Sequence, residues 1–128
     1  MTQNEAVSFW LVSAEHDLQA ARDMFKTHHY DWCLFMWHLV LEKSLKAIIS
    51  HNGDTPVPIH NLLKLVEQAH VQIDSESQDN LKEITSFNLE ARYDNYKFAF
   101  YKKATKEYAE KWQDICEKMY QNFLQLCK

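Results

Sequence analysis

The stretch FNLEARYDNYKFAFYKKATKEYAE, residues 87–110, gathers side chains able to hold a phosphate and a base. Arg92 is one of only two arginines in the chain, and Tyr93, Tyr96 and Lys97 follow it closely. A guanidinium grips phosphate through parallel N–H donors, and a tyrosine ring offers a face on which a base can stack. The competing reading pairs Arg92 with an acid such as Asp17 or Glu42, which would lock the fold and leave the tyrosines in the core.

A second group is His38, Glu42 and Lys46, at four-residue steps inside an otherwise apolar segment. On a helix these three share one face. A glutamate and a lysine in so apolar a segment must pair or face a cleft, because unpaired burial of either charge is costly. An ordinary ion pair on a solvated strip is the plainer alternative. Asp17 falls at the margin of the apolar face of the first helix and joins these residues as a candidate supporting acid. His60, just after Pro58, reads as a helix-start residue rather than a catalytic base.

Metal and hydrolytic chemistry find no pattern. There is no HExxH and no Cys/His pair at zinc spacing. Glu67 and His70 form one Glu-x-x-His, whereas a di-iron bundle uses two such pairs and two further glutamates. No serine or cysteine sits in the context of an activated nucleophile. The sequence therefore assigns no metal ligand and no catalytic residue.

The elements that must position these side chains are helices. One glycine and two prolines in 128 residues leave too few turn residues for hairpins or sandwiches. Val7, Leu11, Ala14, Leu18, Ala21 and Phe25 predict a helix over about 3–27. A second, over about 30–49, is apolar nearly all round from Trp32 to Leu41, which predicts burial by further elements or by another subunit. Gly53 should stop it in a left-handed conformation. A short helix over about 59–70 follows, then one opened by a capping box of Ser75 and Gln78 and ended or kinked by ARYDNYKF. The last runs from about Thr105 to Leu126 on the stripe Tyr108, Trp112, Ile115, Met119 and Phe123. The expected architecture is all-α: one domain, an up-and-down bundle of four long helices plus one short one.

Composition bounds the function. Hydrophobic residues at 46% and charged residues at 25% mark an ordinary globular domain rather than a disordered chain. A formal charge of −4 argues against a general polyanion binder. The charge is uneven, however: residues 1–91 carry 6 Lys/Arg against 13 Asp/Glu, and residues 92–128 carry 8 against 5. The window from Arg92 to Lys106 is the most basic part of the chain. The three cysteines have no paired spacing, Cys33 and Cys116 read as reduced packing residues, and no apolar run is long enough to span a bilayer. A cytoplasmic protein is the expectation.

Taken in order, SAEHDLQAARDMFKTHHYDWCLFMWHLVLEKSLKAII, IHNLLKL and FNLEARYDNYKFAFYKKATKEYAEKW resemble a HEPN domain over nearly the whole chain. The resemblance implies a helical bundle that commonly dimerises and is often encoded beside a minimal nucleotidyltransferase, in a toxin–antitoxin-like pair. It also implies a nucleotide, such as ATP or GTP, as the ligand. Carried over by position, its polar residues are Asp17, Glu42, Lys46, His60, Arg92 and Tyr93. HEPN ribonucleases use an arginine followed four to six residues later by a histidine, late in the bundle; here no histidine follows His70. Arg22 precedes His28 at that spacing, but in the first helix.

The expected function is thus a nucleotide-binding, homodimeric module. Phosphate would rest on Lys46, His60, Arg92 and Lys97, base or ribose on Tyr93 and Tyr96, with Asp17, His38 and Glu42 in support. The alternatives are an RNA-cleaving enzyme that brings His60 to Arg92 in space, and a purely structural helical subunit.

Overall fold

A computed structural model describes residues 1–128, and every regular element in it is a helix. Helix α1 spans Gln3–Lys26, α2 Tyr30–His51, α3 Leu62–Ala69, α4 Ser75–Arg92, α5 Asp94–Lys103 and α6 Lys106–Gln125. The all-α bundle expected from periodicity is present, with one helix more than expected.

Local chemistry sets the boundaries. Thr2 and Glu5 close a capping box at the start of α1. Gly53, at φ +86°, lies just beyond the end of α2, as its glycine freedom predicts. Helix α3 begins at Leu62 rather than near Ile59, because the Asn61 side chain accepts from the Lys64 N–H at 3.2 Å and makes the better cap. His60 is thereby left in the loop ahead of the helix. Likewise Asp74, and not Ser75, caps α4 by accepting from the Ser77 N–H at 2.8 Å.

The additional helix replaces the expected kink. Tyr93 alone is extended, at φ −94° and ψ 131°, and its carbonyl accepts from the N–H groups of Tyr96 and Lys97, restarting the helix as α5. Only Phe100 of α5 is buried. The rest of α5 displays Tyr96, Lys97, Phe98 and Tyr101 to solvent.

Helix α2 is the axis of the bundle. It packs against α1, α3, α4 and α6, burying Cys33, Leu34, Trp37, Val40, Leu41, Leu45, Ile48 and Ile49. Its all-round apolarity is thus satisfied largely within one chain, and by itself calls for no second subunit. Trp37 donates its indole N–H to the Gln113 carboxamide at 3.0 Å, which ties α2 to α6. The Cys33 thiol is buried, and burial pushes it up to about 12, while Cys116 is buried as well. Phe87, Phe100, Tyr108 and Trp112 form an aromatic knot joining α4, α5 and α6, with Phe87 at its centre. No helix is long and apolar enough to cross a membrane.

Candidate functional site

The N-terminal two thirds of α2 leave one strip half-buried: Trp32, Phe35, Met36, Leu39 and Lys43. Side chains from α1, α4 and α5 lean onto this strip. Arg92 lies over the Phe35 ring at 5.8 Å and the Tyr93 ring at 5.6 Å, and Lys97 lies over Trp32 at 5.4 Å. Lower on α2, Lys46 lies over Trp10 of α1 at 5.2 Å. Cations resting on aromatic faces keep their charge while the long side chains lose freedom.

Arg92 makes no ion pair. Its Nε donates to the Asn88 carbonyl at 3.1 Å and one terminal nitrogen donates to Asn88 Oδ1 at 2.6 Å. The other arginine, Arg22, is bound to Glu117 at 3.1 Å. The reading in which Arg92 locks onto Asp17 or Glu42 is therefore overturned. Tyr93 and Tyr96 are about half exposed, at 53% and 48%, so they do not belong to the core either.

Asn88 is buried, and its amide transmits the arrangement inward. With Oδ1 taken by Arg92, its Nδ2 faces His38 Nδ1 at 3.5 Å. His38 is fully buried in α2, and its Nε2 lies 2.9 Å from the His60 carbonyl, which can only accept. His38 must therefore carry its proton on Nε2, leaving Nδ1 to accept from Asn88. Burial is the largest influence on this imidazole and lowers its pKa, so it is held neutral, as that pattern needs.

Glu42, also buried, closes the other side. Its Oε2 accepts from Lys46 Nζ at 3.1 Å and its Oε1 from His60 Nδ1 at 2.9 Å. His60 is thus held twice, by ring and by backbone, although 58% of its side chain is exposed. The i,i+4 pairing of Glu42 with Lys46 expected from spacing is present, but buried in the bundle rather than on a solvated strip.

One expected member stands apart. Asp17 is bound to Lys43 at 2.6 Å and makes no bond to Glu42, Lys46, His60 or Arg92. It borders a separate depression of about 660 Å³ lined also by Phe9, Val12 and His16. Lys97 borders another, of about 370 Å³, with Phe98 and Tyr101. Neither depression is lined by Arg92 or His60. Lys46 is buried with its Nζ engaged by Glu42, so its part is to orient that carboxylate.

The hub, Asn88, lies on the buried face of α4 with Leu81, Ile84 and Ala91. Its signal was there: a carboxamide on that face, four residues before the arginine, is a buried polar group in need of partners. Lys43 was missed for the opposite reason. Nothing in an exposed-looking Glu-Lys pair indicates which of the two cations turns toward α1.

The arrangement can bind an anion. A fixed guanidinium with no carboxylate sits at the surface over the half-exposed Tyr93 ring, with Tyr96 and Lys97 exposed on the next helix, and is backed by a hydrogen-bonded network running to His60. The crystal structure of TT1696 from Thermus thermophilus superposes with a TM-score of 0.82, covering 98% of this chain and 99% of that one, at 20% sequence identity. At that identity the likeness speaks for the fold. A search of curated proteins gave no match. The HEPN domain model matches residues 7–126, nearly the full length and every helix described above, and the chain belongs to the HEPN domain family.

Proposed function

We propose that this HEPN protein is a nucleotide-binding module, with the ligand's phosphates on Arg92 and Lys97 and its base against Tyr93 and Tyr96. The observation that carries the reading is the unpaired, pre-oriented Arg92 guanidinium. Surface arginines of a chain with 18 acidic residues can readily find carboxylates, yet this one is held by the neutral Asn88 instead. Pre-orientation removes part of the entropy loss on binding, and the terminal N–H donors that Asn88 does not use suit a phosphate.

Calorimetric titration of the purified protein with ATP, GTP and a short RNA tests it. Saturable binding to at least one ligand is expected, with Arg92→Ala weakening it at least tenfold, as loss of a charge-assisted contact should. Equal binding by wild type and variant would move the site away from Arg92. No binding by wild type would leave the cluster structural.

The module acts as a homodimer in this reading. Phe9 and Val12, 51% and 67% exposed on one face of α1, the half-buried strip of α2, and Phe98 and Tyr101 of α5, 68% and 65% exposed, leave large apolar side chains uncovered that a second copy could bury. A dimer mass by light scattering at micromolar concentration is expected; a monomer mass would remove this part. A minimal nucleotidyltransferase as protein partner, in a toxin–antitoxin-like pair, rests on family membership alone.

A further inference from the structure

Among the seven histidines, His60 alone combines an exposed ring with a buried carboxylate that fixes its tautomer. His16 approaches Asp17 only at 3.7 Å with an 86% exposed side chain, and His29 bonds a threonine hydroxyl two residues away. His38 is wholly buried. The bond from His60 Nδ1–H to Glu42 makes Nε2 the acceptor of the neutral ring, and no protein group bonds it. Glu42 is held in its turn by Lys46, and the His60 backbone by His38. Three buried groups, Glu42, Lys46 and His38, thus cooperate to present one lone pair at the surface.

A fold that needed only a loop anchor could use the backbone bond from His38. The grip on the ring is an addition, and its consequence is chemical: a neutral imidazole so oriented accepts a hydrogen bond and does not donate one. The same network ends on Arg92, three hydrogen-bonded steps away, through His38 and Asn88. His60 and Arg92 thus flank the same buried pair, His38 and Asn88, and a ligand that spans the two with its phosphate on Arg92 would meet an acceptor at His60.

We propose that His60 Nε2 accepts a hydrogen bond from a ribose hydroxyl of the ligand, so that the site selects ribonucleotides over deoxyribonucleotides. This deepens the nucleotide-binding reading and rests on it. The base and phosphates are common to both ligand classes, so Tyr93, Tyr96, Arg92 and Lys97 give no discrimination between them. The acceptor at His60 does. Glu42 and His38 are positioning residues, acting through His60 without touching the ligand.

The test is titration with ATP and GTP beside their 2′-deoxy and 3′-deoxy counterparts, on wild type and His60→Ala. For wild type, at least one deoxy analogue is expected to bind about tenfold more weakly than its parent, the worth of one ordinary hydrogen bond. For His60→Ala, the parent nucleotide is expected to weaken to the level of that analogue and the analogue to change little. Equal binding of ribo and deoxy ligands by wild type would overturn the selection while leaving nucleotide binding intact. Discrimination that persists in His60→Ala would overturn the assignment to His60. No nucleotide binding at all would overturn both readings. Should the variant fail to fold, nitrogen NMR of histidine-labelled wild type decides the matter. His60 should show a protonated Nδ1 and a bare Nε2 whose resonance moves with ATP and not with the discriminated analogue; the opposite tautomer, or no movement, would sink the proposal.

Discussion

Replacing Glu42 by alanine is expected to cost about 3–5 kcal/mol of folding free energy, the range for removing one partner of a buried ion pair. The carboxylate is 4% exposed and Lys46 7% exposed, so the substitution strands an ammonium inside the bundle, with the Trp10 ring as its only close attraction. It also releases the His60 ring. Equilibrium urea unfolding measures the loss as a drop in midpoint at unchanged slope. A loss under about 1 kcal/mol would mean that Lys46 reaches water in the variant and that the pair is not truly enclosed.

The double variant Glu42→Leu with Lys46→Met sharpens the same result. Removing both charges together restores an apolar interior, and such replacements are often neutral or stabilising. Most of the stability lost in Glu42→Ala should return. What cannot return is the hold on His60, because no carboxylate remains to receive its Nδ1–H. A pair kept only to fasten α2 would be dispensable by this experiment; a pair kept to orient an exposed histidine would not be.

The bundle was legible in the sequence because its signals are local. Heptad-like stripes in α1 and α6, the scarcity of glycine and proline, and Gly53 each act within a few residues of where they are written. The boundaries that moved did so where a capping side chain lay a residue or two from the expected start, as with Asn61 after Ile59 and Asp74 before Ser75. Helix α5 was hidden because its stripe is nearly absent: a helix that buries only Phe100 has no period to read.

The candidate site was legible as residue types and illegible as partners. Spacing along one helix predicts Glu42 with Lys46, since both positions move together. It says nothing of which cation meets Asp17, which depends on how α1 turns against α2, and the answer is Lys43. Nor could it place the His60 loop against α2, where His38 and Glu42 receive it. Arg92 lacks an acid because Asn88 occupies the inward direction, a preference visible only once the α4 face is packed.

Phe87 is where fold and site depend on one side chain. It is fully buried, with ring centroids 5.6 Å from Phe100, 6.2 Å from Tyr108 and 5.9 Å from Trp112. Phe87→Ala is expected to lose about 3–5 kcal/mol by cavity formation and lost aromatic contact. Phe100→Ala should distinguish global from local damage. As the sole buried residue of α5, Phe100 is that helix's one core anchor, beside the surface contacts of Lys97 with Trp32 and of Lys103 with Glu83 and Glu90. Its removal should loosen Asp94–Lys103 ahead of the bundle, read as amide exchange that accelerates throughout α5 and stays slow in α2. Tyr96 and Lys97 travel with α5, whereas Arg92 stays on α4 under the hold of Asn88. Nucleotide binding in Phe100→Ala should therefore weaken but persist, in contrast to the larger loss in Arg92→Ala. If exchange in α5 is already as fast in wild type as in the variant, Phe100 anchors nothing, and α5 becomes ordered only when a ligand or a second subunit covers it.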